Sequence, residues 1–115
     1  MALLGLFAVV PVRAATAMGM PSEVNFLLGF VERSGCDFQR NGSWYTAPQA
    51  QVHLRDKFNY LTARNRLETT EQFIEQAASE SSLTGRPYMV RCGGGALISS
   101  NRWLSDELLQ FRKTQ

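Results

Sequence analysis

Ser34-Gly-Cys-Asp-Phe-Gln-Arg-Asn-Gly-Ser-Trp-Tyr45 is the stretch whose reading decides the fold. It reads as a helix end, a strand, a two-residue turn and a second strand. Asn41-Gly42 is a strong hairpin signal, because a type I′ turn needs two residues that tolerate a positive φ. A two-residue turn there pairs Arg40 with Ser43, Gln39 with Trp44 and Phe38 with Tyr45. Side chains alternate across a sheet. Cys36, Phe38 and Tyr45 therefore share one face, assigned to the core, while Asp37, Gln39, Trp44 and Thr46 share the other.

The hairpin carries Cys36, one of the two cysteines; the other, Cys92, ends a strand-like run, Tyr88-Met-Val-Arg-Cys92. At the start of the chain, Met1 to Val12 is apolar and uncharged, and Ala15-Thr16-Ala17 fits a small-residue cleavage pattern. Residues 1–17 thus read as a secretory signal peptide and 18–115 as one small domain. The apolar run falls short of the roughly 20 residues that a bilayer span needs, so no membrane span is expected after cleavage. It departs from the signal pattern in having no Lys or Arg before it. In an exported chain two cysteines read as one disulfide. Closing a loop of about 57 residues would stabilise the fold by about 4 kcal/mol in the chain-entropy account. With that bridge, Tyr88, Val90 and Cys92 lie on the core face, and Met89 and Arg91 lie beside Trp44 on the other.

Four helices surround these strands. Pro21-Ser22-Glu23 opens the first, with Val24, Leu27, Leu28 and Val31 on one face and Gly35 suited to the left-handed position after its end. Thr46-Ala-Pro-Gln49 starts the second as a capping box with Pro48 in the first turn; its buried stripe is Ala50, Leu54, Phe58 and Leu61. Thr69-Thr-Glu-Gln72 repeats the box for a third, with Phe73, Ile74, Ala77 and Ala78 inside. Gly93-Gly-Gly95 reads as a flexible break. Ser99 or Ser100 caps the last helix, whose apolar positions are Trp103, Leu104, Leu108 and Phe111, and whose final Arg112-Lys113 suits the helix dipole. The expected fold is α+β: four helices on a small, mostly antiparallel sheet of three strands, stapled by Cys36–Cys92.

Composition bounds the function. The chain has 115 residues, 44% hydrophobic and 19% charged, with a net charge of +2. Loss of Arg13 with the leader leaves 11 basic against 10 acidic residues, too even a balance to point to nucleic acid or an anionic membrane. His53 is the single histidine; without a second ligand at helical spacing it gives no zinc site and reads as a boundary residue hydrogen-bonded at the core edge. Cys36 with His53 would be a thiol site only if the thiol were free. Gly93-Gly-Gly95 lacks the Lys-Ser/Thr end of a phosphate loop. Glu68, Glu71, Glu75 and Glu80 read as a solvated face, and no cofactor is expected.

Several blocks occur in order: Ser34-Gly-Cys36, Phe38-Gln-Arg-Asn-Gly-Ser43, Phe73-Ile74, Ser81-Ser82, Gly85-Arg-Pro-Tyr88, Val90-Arg-Cys92 and Trp103-Leu104. Together they resemble a family of small exported bacterial proteins known as domain of unknown function 5329. The resemblance covers nearly all of the mature chain and implies a periplasmic location and a Cys36–Cys92 pairing. It carries over no catalytic residues.

The functional expectation is a non-enzymatic binding or interaction module of the bacterial envelope, with an envelope protein as the kind of partner. Its candidate surface is the outer hairpin face of Trp44, Gln39, Met89 and Arg91, an aromatic-plus-arginine composition favoured at interfaces. Two other readings stand beside it. One is a small inhibitor or protective protein against an envelope-acting enzyme or toxin, and the other is a small hydrolase pairing His53 with a carboxylate.

Overall fold

The computed structural model describes residues 19–115, and the expected leader lies outside them. The first helix, α1, spans Met20–Arg33. Its residues Val24, Leu27, Leu28 and Val31 recur at helical spacing and are almost wholly buried, so one apolar stripe makes α1 the central helix, packed against each of the other three. Ser34 closes it by bonding back to the Val31 carbonyl. Strand β1 (Asp37–Arg40) then pairs antiparallel with β2 (Ser43–Tyr45) in the register that the turn predicts. Asn41 and Gly42 both have positive φ, 52° and 81°, as a type I′ turn requires. Asn41 is held there by tertiary contacts as well: its side chain donates to Ser81 Oγ and accepts from Thr84 Oγ1.

Helix α2 (Ala47–Ala63) and helix α3 (Thr70–Ala77) each begin with a complete capping box, Thr46 with Gln49 and Thr69 with Gln72. Strand β3 (Met89–Arg91) pairs antiparallel with β1, and helix α4 (Ser100–Lys113) closes the chain with Ser99 as its cap. The sheet has four strands rather than three, in the order β2-β1-β3-β4. The additional strand β4 is Ile98–Ser99, and the glycine run expected to be a break is the reversal that returns it to β3. Gly93 and Gly94 take positive φ, and the Gly95 amide donates to the Cys92 carbonyl. Two residues are too few for an alternation to show in the sequence. Ser99 both ends this strand and caps α4, pairing with Met89 while its hydroxyl accepts from the Arg102 amide.

The fold is α+β, with the helices against the sheet face that carries Phe38 and Val90. Trp103 of α4 links the layers, meeting Phe30 of α1 at 4.6 Å and Phe38 of β1 edge-on at 5.5 Å between ring centroids. Phe73 of α3 fills the helical core against Phe58 of α2. Cys36 and Cys92 form the disulfide, with Cα atoms 4.3 Å apart. Tyr88 and Val90 are buried as expected, whereas Cys92 is exposed. It sits one residue past the end of β3, so the bridge lies at the rim of the sheet with only the Cys36 side enclosed.

A second tie lies at the other end of the molecule. Glu23, in the first turn of α1, is buried yet charged. It accepts two hydrogen bonds from Arg112 of α4, both at 2.9 Å, and one from the buried Thr70 hydroxyl at the start of α3. Arg112 also reaches the exposed Glu71 at 2.6 Å. One guanidinium fork thus joins the ends of three helices, and both carboxyl groups are held below their ordinary value, chiefly by the hydrogen bonds from Arg112. Glu71 is therefore an ion-pair partner rather than part of a merely solvated face.

Two outcomes are expected. Thiol labelling of the oxidised, denatured protein should modify neither cysteine, and the Cys36→Ser/Cys92→Ser double variant should lose about 2–5 kcal/mol in urea unfolding. The Glu23 contribution, from a lowered pKa, is fully present above its ordinary 4.5 and fades as pH falls through the depressed folded value. Glu23→Gln should cost about 2 kcal/mol at neutral pH and flatten the acid limb of a pH series of denaturation midpoints.

Candidate functional site

The strand alternation that buries Phe38 also places Arg40 on the helix side of the sheet, two residues on. Arg40 stays half-buried at the sheet end. It donates to the Tyr45 hydroxyl at 3.2 Å, with its guanidinium 4.8 Å from the Tyr45 ring centre. Facing it, the first three turns of α2 present Pro48, Gln49, Val52 and His53. Between these walls lies a cleft of about 460 Å³, lined mainly by apolar groups including Phe38, Tyr45, Ala50 and Leu54, with Gln39, Arg40, Gln49, His53, Tyr88 and Ser100 as its polar members. That volume falls in the small-molecule range of roughly 300–1,000 Å³. No Asp or Glu contributes to the lining.

Three polar side chains meet at the Tyr88 hydroxyl, where the cleft borders a second hollow lined by His53 and Lys57. His53 Nε2 lies 3.0 Å from the Tyr88 hydroxyl, and Lys57 Nζ, one helical turn beyond His53, donates to the same oxygen at 3.1 Å. Lys57 also donates to the Glu80 carbonyl at 3.3 Å. An ammonium has only protons to give, so the Tyr88 oxygen accepts from Lys57, while the direction of its bond with His53 Nε2 follows the imidazole tautomer. Among the described residues His53 Nδ1 has no hydrogen-bond partner. Burial pushes the His53 pKa down, with Arg40 and Lys57 adding to the effect and Asp56 opposing it. Burial lowers Lys57 and raises Tyr88 in the same way. Among the described residues no carboxylate hydrogen-bonds His53. The site also offers no cluster of three or more metal-ligating His, Cys, Asp or Glu among the described residues.

The outer sheet face holds the four residues grouped from the sequence. Trp44 pairs with Gln39, and Gln39 with Met89, in one row across β2, β1 and β3. Arg91, on β3, reaches over this row and stacks on Trp44 with 4.5 Å from its guanidinium carbon to the ring centre. Trp44 is 41% exposed, while Gln39, Met89 and Arg91 are half-buried.

The chain matches the family of unknown function DUF5329 over residues 19–112. It belongs to the DUF5329 family. A relative in Salmonella typhimurium strain LT2, the uncharacterized protein YfeK, is 35% identical over 88 residues, which cover 76% of this chain and 72% of YfeK. No solved structure matches the chain. No helix among the described residues is long and apolar enough to cross a membrane.

Within this DUF5329 domain, the sequence pointed to His53 as a residue of the core edge, and its bond to Tyr88 places it there. It did not point to Arg40, Lys57 and Tyr88 as neighbours of His53. Part of the signal was present, since Arg40 shares the strand parity of Phe38, and His53 and Lys57 stand four residues apart on one helical face. Tyr88 arrives from 35 residues beyond His53, and that contact has no local signature.

His53 should titrate below its ordinary value of 6.5 in NMR of the imidazole protons, and Arg40→Gln should move the midpoint up. Because the folded chain holds His53 neutral, its lowered pKa weakens folding as pH drops below 6.5 toward the folded value.

Proposed function

We propose that the protein is a non-enzymatic binding module of the bacterial envelope, exported to the periplasm, and that the cleft between α2 and the β1–β2 hairpin is its ligand site. The observation that carries the site is the convergence of Arg40, His53 and Tyr88 on a mainly apolar cleft of small-molecule size. Enclosed apolar walls with a few placed polar groups are the usual form of a binding pocket, and shifted pKa values mark such places more often than bare surface. The disulfide supports export, since such bonds persist mainly in oxidising compartments.

A second reading rests on the stacked Arg91–Trp44 pair, which suits an envelope protein as partner. One experiment separates the two. A neutral solvatochromic naphthylamine dye should bind the mature protein with a blue-shifted, enhanced emission. Val52→Asp, which alters an exposed position on the cleft wall, should reduce that binding at least tenfold, by placing a charge against the apolar site. Trp44→Ala should leave it unchanged. The reverse pattern would move the site to the outer face, and no enhanced emission with the wild type would remove the cleft reading.

A further inference from the structure

Resting on the cleft reading above, we infer that the natural ligand is a small amphipathic monocarboxylate, held with its apolar body in the cleft and its carboxylate between Arg40 and His53. The argument is one of charge and shape. Arg40 is a permanent cation set half-buried in the wall of an apolar cavity. Its one hydrogen bond to a neutral side chain, the Tyr45 hydroxyl, leaves most of its donor fork unused. Among the described residues no carboxylate lies within ion-pair distance of it; the ion pairs present engage Arg102 and Arg112. A guanidinium fork matches a carboxylate with two parallel hydrogen bonds, and His53 borders the same cleft as Arg40.

The count of charges selects the head group. Lys57 is committed to the Tyr88 hydroxyl and the Glu80 carbonyl. It lines a separate hollow on the far side of His53, together with Asp56 and Tyr60. Among the lining residues Arg40 is the one permanent charge, which suits a singly charged acid better than a doubly charged phosphate. Phe38, Ala50, Val52 and Leu54 offer the rest of the ligand no polar partner, so its body must be apolar to leave water. The groups that set the charge state of His53 are Arg40 from β1, Lys57 and Asp56 from its own helix, and the Tyr88 hydroxyl ahead of β3. Glu80, beyond α3, acts on Lys57. An anion placed beside Arg40 would offset the repulsion that Arg40 exerts on imidazolium, so binding should draw the His53 pKa upward.

The test uses decanoate, decanol and decylammonium, each below its aggregation concentration, titrated into the full mature protein and followed by calorimetry and by NMR of His53. The three probes share one apolar chain and differ only in head-group charge. Decanoate should bind at least about tenfold more tightly than decanol, the effect expected of one charged hydrogen-bonded contact, and decylammonium more weakly than either. Decanoate alone should raise the His53 titration midpoint. Arg40→Gln should erase the preference for decanoate while leaving decanol binding intact, and Arg40→Lys should restore part of it. Equal binding of decanoate and decanol, or a preference that survives Arg40→Gln, would overturn the carboxylate assignment while leaving an apolar-ligand site standing. Failure of all three probes together with the dye would overturn both readings.

Discussion

The structure depends on a covalent link between the start of β1 and the end of β3. These strands are neighbours in the sheet but are separated in sequence by two helices, and the two cysteines stand 56 residues apart. The strands are two to four residues long, and pairs this short contribute few ladder hydrogen bonds against the entropy of closing so long a loop. The bridge removes most of that closure cost from the unfolded chain. Once β1 and β3 are adjacent, Asp37 meets Arg91 and Phe38 meets Val90. Phe38 is thereby presented to Trp103, through which the sheet rests on α4 and α1.

Polar groups divide the molecule into two ends. At the helical end, Glu23, Thr70, Arg112 and Glu71 form a closed network in which one guanidinium satisfies two carboxylates. Such a network orients helices more than it adds net stability, since burying Glu23 carries a desolvation cost that its hydrogen bonds must offset. At the sheet end, His53, Tyr88 and Lys57 share one hydroxyl, and Asn41 ties the hairpin tip to the loop that carries Ser81 and Thr84. The first network is saturated by its own partners. Beside the second, Arg40 has donors to spare and borders the cleft. That difference sets the cleft apart from the other charged places on the molecule.

The two faces of the same hairpin carry different recognition chemistry. On the outer face an arginine is already stacked on a tryptophan, which keeps the ring in place and leaves part of it to solvent. On the inner face an arginine leans on a tyrosine at the edge of a cavity. Both follow from one alternation, which sends even and odd positions of β1 to opposite sides of the sheet, with Gln39 also bordering the cleft.

Much of this was legible before any coordinates. The Asn41-Gly42 turn fixed the hairpin register, and with it the parity of Phe38, Arg40 and Trp44. Two Thr-x-x-Gln boxes marked the starts of α2 and α3, and the spacing of Val24, Leu27, Leu28 and Val31 marked the buried face of α1. Each of these is set by interactions within a few residues, which is why the sequence alone determines them. Other features came only with the tertiary structure: the fourth strand, the burial of Glu23 beneath Arg112, and the meeting of His53 with Tyr88. A two-residue strand has no period to detect, Glu23 and Arg112 lie 89 positions apart, and the cleft draws its lining from β1, β2, α2 and the distant Tyr88 and Ser100. Local propensities set what each segment becomes, whereas the cavity and the charges that border it are decided by how the segments fail to fill the space between them.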